Sequence, residues 1–257
     1  MKPGHAQLET IFRLKYGNTH NKGWGPRMRL WFNYFTPDDF YEAIVENLVG
    51  EGCAWIDVGC GRDIFPNNQI LAKMLADRCE ILIGVDPNDN IDENQFVHQR
   101  IKSTINLFRP DRTFDLATLR MVAEHIIHPT LVVDSLRRLI RPGGKVIIYT
   151  VNRWSPSSIF SFLVPFRFHH FIKKILWKTK EYDTFPVLYL MNTRKCLTGH
   201  FELGGFKECS LIYVADCRIF GNNRLLSFLS LSLWWVLKTM GVKYPENCLI
   251  AVYERMH

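Results

Sequence analysis

The stretch "WIDVGCGRD", residues 55–63, decides the fold, because it joins a short apolar strand to a glycine-punctuated turn between two acids. Glycine adopts positive φ at little cost and lets other groups approach the backbone closely, so Gly59 and Gly61 suit a tight turn. A structural turn explains the glycines but not Asp57 and Asp63 beside them. The stretch therefore predicts a buried strand that ends in a ligand-binding loop.

Strand and helix patterns alternate on both sides of this stretch. Residues 36–39, "TPDD", are typical of a helix start, with a capping hydroxyl and a proline at the first helical position. Apolar strands are predicted at 53–58, 81–86, 114–119 and 145–151, with helices between them at 68–77 and 129–140. Continuous apolar strands that alternate with helices indicate a parallel sheet covered on both faces. The fold class is therefore α/β, with a doubly wound sheet.

Composition limits the remaining possibilities. The 257 residues carry a net charge of +7, but the basic residues are scattered, so charge is weak evidence for nucleic acid as a partner. The seven cysteines show no paired spacing, which predicts neither a zinc knuckle nor a disulfide framework and favours a reducing cytoplasm. The longest uncharged run, Leu225–Leu237, is shorter than the roughly 20 residues that cross a bilayer.

The glycine-rich turn distinguishes between two kinds of cofactor. Open parallel sheets bind ligands beyond the carboxyl ends of their strands, where this turn falls. A dinucleotide site needs a third glycine at the position of Ile64, and Asp63 would oppose a phosphate. The turn therefore favours a ligand with a cationic end and no phosphates.

The chain resembles the class I S-adenosylmethionine-dependent methyltransferases in four motifs that occur in the family's order. They are "WIDVGCGRD" (55–63), "IGVDP" (83–87), "FDLATLRMVAEHI" (114–126) and "LRRLIRPGGKVIIYT" (136–150). The resemblance implies a Rossmann-like, mainly parallel seven-stranded sheet with a helical, aromatic insertion. It also implies S-adenosylmethionine as the cofactor.

The same resemblance assigns cofactor-binding roles to eight residues. They are Asp57, Gly59, Gly61, Asp86, Ser103, Thr104, Leu119 and Arg120. Asp86 takes the position of the acid that accepts the ribose hydroxyls, and Asp57 supports the glycine loop and the cofactor's ammonium. The two residues at 103–104 are the nearest polar candidates for an adenine contact, and those at 119–120 pass beside the methionine portion.

The segment "AEHIIHP", 123–129, supplies a candidate catalytic residue. Methyl transfer requires the two substrates to be aligned and, for an acidic acceptor, a proton to be removed. His125 is the predicted general base, and a structural role for it stays open. In ubiquinone-type O-methyltransferases a Glu-His pair here helps to hold a divalent ion, but Met121 stands where a further acid would assist, so no metal is predicted.

The predicted divisions are one domain over 1–257, a cofactor-binding core over 30–151, an insertion or lid over 152–200, and closing strands with an apolar helix over 201–257. The aromatic and basic segment 159–177 and the run Leu225–Leu237 predict a hydrophobic acceptor site or a membrane-surface contact. A helix in the second run would be apolar almost all round, so the sheet or a membrane must bury it.

The sequence therefore predicts a methyltransferase that acts on oxygen or nitrogen of a small, hydrophobic or lipid-like acceptor. It is expected in the cytoplasm, and association with a membrane surface and a lid over a soluble substrate both stay open. Two alternatives stay open: a nucleic-acid methyltransferase that uses the positive charge, and a non-catalytic subunit that retains the fold. The sequence leaves the oligomeric state undetermined.

Overall fold

The computed structural model describes residues 2–17, 24–156, 158–159, 188–218 and 223–257. The strands of its sheet are β1 (Ala54–Val58), β2 (Ile81–Asp86), β3 (Gln99–Lys102), β4 (Phe114–Arg120), β5 (Ile140–Val151), β6 (Phe206–Val214) and β7 (Cys248–Arg255). The helices described are α1 (His5–Tyr16), α2 (Trp24–Trp31), α3 (Pro37–Leu48), α4 (Gln69–Arg78), α5 (Pro129–Leu139), α6 (Arg194–Leu203) and α7 (Arg224–Thr239). Of the predicted segment 159–177, all but Ile159 lies outside the described residues.

The seven strands form one sheet in the order β3-β2-β1-β4-β5-β7-β6. Strands β1 to β5 are parallel, whereas β7 runs antiparallel to both of its neighbours. The order of the strand connections reverses at β1. The chain proceeds outward from β1 to β3 on one side and then crosses back to β4 on the other side. The predicted doubly wound, mainly parallel sheet is confirmed.

Two caps fix the helices that flank the glycine-rich turn. The Thr36 hydroxyl accepts from the Asp39 amide, while the Asp39 carboxylate accepts from the Thr36 amide, which completes a capping box at the start of α3. The Asn68 side chain caps α4 by accepting from the Leu71 amide. Helix α4 therefore begins only after Pro66, as the sequence predicts.

Helices cover the sheet on both faces. Helices α1, α3 and α4 bury apolar side chains against one face, and α5 and α6 pack against the other. Met191, Leu197 and Phe201 are fully buried in the second layer. These three residues therefore belong to the core, and the predicted insertion boundary at residue 200 falls inside α6.

Helix α7 lies where the sequence predicts an apolar helix, and the residues that the structure describes bury one of its faces. Ser227 and Leu231 are buried against a small cluster that includes Met28 and Tyr34, whereas Leu225 and Leu229 are exposed. Packing within the protein therefore covers one face of this helix, and the sheet does not bury the other face. No helix in the described ranges is long and apolar enough to cross a membrane.

Candidate active site

The turn after β1 lies beside the acid that ends β2. Gly59 and Gly61 both have positive φ, of 69° and 51°, and the Gly61 amide donates to Oδ2 of Asp86 at 3.0 Å. A Cβ built on Gly61 would meet no atom within 4 Å, so the space above this backbone is open. The loop therefore presents an accessible main-chain surface next to a carboxylate.

Most hydrogen-bond acceptor positions of the Asp86 carboxylate are already used within the protein. Its Oδ1 accepts from both the backbone and side-chain nitrogens of Asn88, at 2.8 and 3.1 Å, and its Oδ2 accepts from Gly61. A carboxylate has about four acceptor positions, so one position on Oδ2 remains. Asp86 can accept one further hydroxyl as it stands, and a second only if the Asn88 amide turns away.

Asp57 lies buried beneath the glycine turn, at the level of β4. The Thr118 hydroxyl donates to its Oδ1 at 2.6 Å and accepts from the indole nitrogen of Trp55 at 2.7 Å. Burial raises the pKa of Asp57 from its ordinary value to about 7, against the opposing effects of the Thr118 hydrogen bond and the Arg120 charge. The carboxyl group is thus poised to ionise when a cation arrives.

Arg120, at the end of β4, belongs to a chain of charges that the sequence does not indicate. Its guanidinium lies 3.7 Å from Oδ1 of Asp38. The other oxygen of Asp38, Oδ2, pairs with Arg218, and Arg218 in turn pairs with Asp216. Burial alone would raise the pKa of Asp38, but Arg218 and Arg120 hold it below its ordinary value. These contacts join the ends of β4 and β6 to the first turn of α3.

The segment after β4 carries the candidate base. His125 is half-buried in a single 3-10 turn, Ala123–His125, and not in an α-helix. The adjacent Glu124 is buried and accepts from the Thr150 hydroxyl at 2.6 Å, and Thr150 accepts from the Asn192 amide at 2.7 Å. Burial raises the pKa of Glu124. This chain fixes the segment that bears His125 against β5.

The remaining predicted residues divide into three groups. The Ser103 amide donates to the Asp86 carbonyl at 3.1 Å, which places Ser103 and Thr104 beside the ribose candidate. Leu119 is fully buried in the core, so its side chain faces away from the site and the predicted contact can involve only its backbone. The Asp63 carboxylate makes no hydrogen bond to any residue that the structure describes, and the Arg120 and Arg62 charges act on it.

A cavity of about 580 Å³ adjoins this edge of the sheet. Met28 and Leu231 contribute apolar wall, while Asp38, Asn67 and Arg218 contribute polar wall, and Asp38 lies 3.7 Å from the Arg120 guanidinium. The described residues contain no group of three His, Cys, Asp or Glu side chains that could hold a metal ion. The arrangement suits a zwitterionic organic cofactor with an acceptor beside it.

The donor set fits S-adenosylmethionine. The open backbone of Gly61 and the remaining acceptor position on Asp86 suit a ribose. The Asp57 and Asp63 carboxyl groups suit an ammonium group, and the nearby Arg120 guanidinium suits a carboxylate. The cofactor's sulfonium supplies an electrophilic methyl group. The acidic and basic side chains of the site would hold its two charged ends.

Comparison with known proteins agrees with this chemistry. The model of a family described as "Methyltransferase domain" matches residues 22–185, more than half of the chain. Ubiquinone biosynthesis O-methyltransferase of Coxiella burnetii (strain Dugway 5J108-111) is 24% identical over 158 residues, which cover 60% of this chain and 67% of that protein. The protein of the same name from Saccharophagus degradans is 27% identical over 190 residues, covering 63% and 76%.

The fold is also shared with a solved structure. N-methyltransferase NodS from Bradyrhizobium japonicum WM9, in complex with S-adenosyl-L-homocysteine, superposes with a TM-score of 0.51 at 12% identity, covering 98% of this chain and 99% of that one. The chain therefore belongs to the methyltransferase-domain family and is a class I S-adenosylmethionine-dependent methyltransferase.

Proposed function

We propose that the protein transfers a methyl group from S-adenosylmethionine to an oxygen atom of a small, hydrophobic or lipid-like acceptor. The observation that carries this proposal is the Gly61 amide donating to Asp86, because it joins an open glycine backbone to a ribose-accepting carboxylate. The names of the curated relatives favour oxygen over nitrogen as the methylated atom.

Residues 30–151 form the proposed cofactor-binding core. Asp86 would accept a ribose hydroxyl, with the Gly59–Gly61 backbone against the sugar. Asp57, below the turn, would stabilise the ammonium group, and Arg120 would pair with the carboxylate. Ser103 and Thr104, beside Asp86, would contact the adenine, where the backbone of β3 ends.

His125 is the proposed general base. Methyl transfer is an in-line displacement in which the acceptor oxygen attacks the sulfonium methyl carbon and the sulfur leaves with its bonding electrons. The acceptor's hydroxyl proton must leave as that bond forms, and His125 would take it. Glu124, held by Thr150, would orient the segment that bears the histidine.

The cavity beside Arg120 is the proposed acceptor site. Its wall combines Met28 and Leu231 with the Asp38 and Arg218 ion pair, so an apolar body with one polar reacting end would fit. The predicted insertion over 152–200 follows β5 and would shape the same site. All seven cysteines are free, which supports a reducing compartment such as the cytoplasm. Within that compartment, we propose that the acceptor lies at a membrane surface.

The proposal is tested by mass spectrometry on the purified protein with S-adenosylmethionine and a panel of acceptors. The panel contains catechols and phenols with short or long alkyl tails, matched carboxylic acids, amines and a short RNA. We expect a methyl adduct on a tailed phenol or catechol and none on RNA. Methylation confined to amines or RNA would overturn the assignment of the acceptor.

A further inference from the structure

Helix α7 presents an uninterrupted apolar stripe to solvent. The exposed side chains recur at helical spacing along one face: Leu225, Leu229, Leu233, Val236 and, at the helix end, Met240. Leu225 is 66% and Met240 is 69% exposed. Monomeric proteins seldom leave a contiguous apolar row of this length in water, so the row marks a contact surface.

The neighbouring helix α2 extends this surface sideways. Trp31 is 74% exposed, and its ring centroid lies 6.2 Å from that of Phe228 on α7. The opposite face of α7 is held by Leu231 and by Trp234, whose ring packs edge-on against Tyr34. The stripe and Trp31 therefore form one fixed patch, which we call the α2–α7 surface.

The charged residues carried by α2, by α7 and by the residues that follow α7 to position 244 all have one sign. The stretches 24–31 and 224–244 contain Arg27, Arg224, Lys238 and Lys243 in addition to the buried Arg29, and neither contains an Asp or Glu. Arg224 begins α7 and Lys238 lies in its last turn, so cations stand at both ends of the apolar stripe. This pattern is complementary to an anionic lipid surface, where each nearby cation contributes about 1 kcal/mol.

We propose that the α2–α7 surface docks the protein on an anionic phospholipid membrane. An exposed tryptophan, a leucine-rich stripe and flanking cations are the combination that interfacial helices use. Helix α7 has 16 residues and a length of about 24 Å, less than the roughly 30 Å hydrocarbon core, so it lies along the surface.

The docking surface also explains how a hydrophobic acceptor would reach the site, a step that rests on the proposed function. Met28 on α2 and Ser227 and Leu231 on α7 line the cavity beside the Asp38–Arg218 pair. Because the same two helices carry the exposed patch, docking brings the cavity close to the lipid. An acceptor dissolved in the membrane then needs no passage through water.

Flotation with vesicles of phosphatidylcholine and phosphatidylglycerol tests the docking. We expect the full-length protein to float with the vesicles at low salt, and less so at high salt or with phosphatidylcholine alone. The variant L229S/L233S should bind at least tenfold more weakly. L107S/L203S is the matched control, since those two leucines are 73% and 88% exposed elsewhere, and it should float like the wild type.

Three outcomes would overturn the proposal. One is a wild type that does not float, and another is an L229S/L233S variant that floats as well as the control. The third is a wild type that forms a dimer in sedimentation velocity, is made monomeric by L229S/L233S and binds no vesicles, since a second copy then covers the patch. S-adenosylhomocysteine affinity, measured by calorimetry on the same samples, tests the proposed function separately.

Discussion

Val122 packs so closely over Gly59 that a Cβ on residue 59 would lie 2.3 Å from its Cγ2 atom. Gly59 also has a φ of 69°, a region that costs other residues about 1–2 kcal/mol. Gly61 shares the positive φ but has open space where a side chain would stand. One glycine of the turn is thus required by the protein itself, whereas the other leaves room for a ligand.

Alanine at these two positions should therefore have different effects. We expect G59A to lower the free energy of unfolding by about 2–4 kcal/mol, from φ strain and overpacking together. G61A should lower stability by only about 1–2 kcal/mol but weaken S-adenosylhomocysteine binding strongly. Urea denaturation and calorimetry measure the two effects. The double variant G59A/V122A should recover the overpacking part, and no recovery would contradict the steric explanation.

Replacing Asp86 tests the ribose assignment. Because three of its acceptor positions are already used, D86N should lose about one charge-assisted hydrogen bond, about 1.5–3 kcal/mol, or roughly 10- to 150-fold in cofactor affinity. Calorimetry with S-adenosylhomocysteine measures this. D89N is the matched control, since Asp89 is exposed and pairs with Lys102 nearby. Equal affinity for D86N and wild type would show that the ribose lies elsewhere.

The parts of the molecule that follow local rules could be predicted from the sequence. The strands are continuous apolar runs, and the two turn glycines adopt positive φ, so both features can be predicted from the sequence. The ion pairs of Asp38 with Arg120 and Arg218 could not be predicted, because they join residues 82 and 180 positions apart in the sequence. Trp55 is not predicted as a site residue for a different reason. Its place in an apolar strand indicates a core side chain, yet its indole nitrogen donates a hydrogen bond that orders the Thr118 hydroxyl.

Helix α7 shows a second limit. Helical periodicity identifies which side chains share a face, but it does not say what covers that face. The run Leu225–Leu237 is apolar on nearly every side, so its pattern left the sheet and a membrane as alternatives. Leu231 packs beside Met28, so the protein itself covers one face of the helix, whereas the other face is exposed.

The pKa of Asp57 predicts how cofactor affinity depends on pH. Burial raises this pKa to about 7, so at pH 6 most of the free protein carries a neutral carboxyl group. An ammonium group bound nearby favours the ionised form, so binding at low pH requires the loss of a proton. We expect affinity for S-adenosylhomocysteine to be about tenfold weaker at pH 6 than at pH 8.

Calorimetry in buffers of different ionisation enthalpy checks this, because proton release near pH 7 adds a buffer-dependent heat. D57N should abolish both the proton release and the pH dependence. E42Q is the control: burial also raises the pKa of Glu42 to about 7, but its carboxylate pairs with Lys15. If E42Q and not D57N removes the effect, the ammonium does not lie near Asp57.

The last prediction separates catalysis by His125 from a structural role. If His125 takes the acceptor proton, H125A should lower turnover by roughly 10² to 10⁴ and leave S-adenosylhomocysteine affinity nearly unchanged. H128A is the matched control, since His128 is exposed three residues away, at the N-cap position of α5, and its side chain makes no capping hydrogen bond. A lower melting temperature with near-normal turnover would assign His125 to structure. Raising the pH should partly restore H125A turnover on a phenolic acceptor, because hydroxide ionises the phenol without a base, and only a catalytic role predicts that recovery.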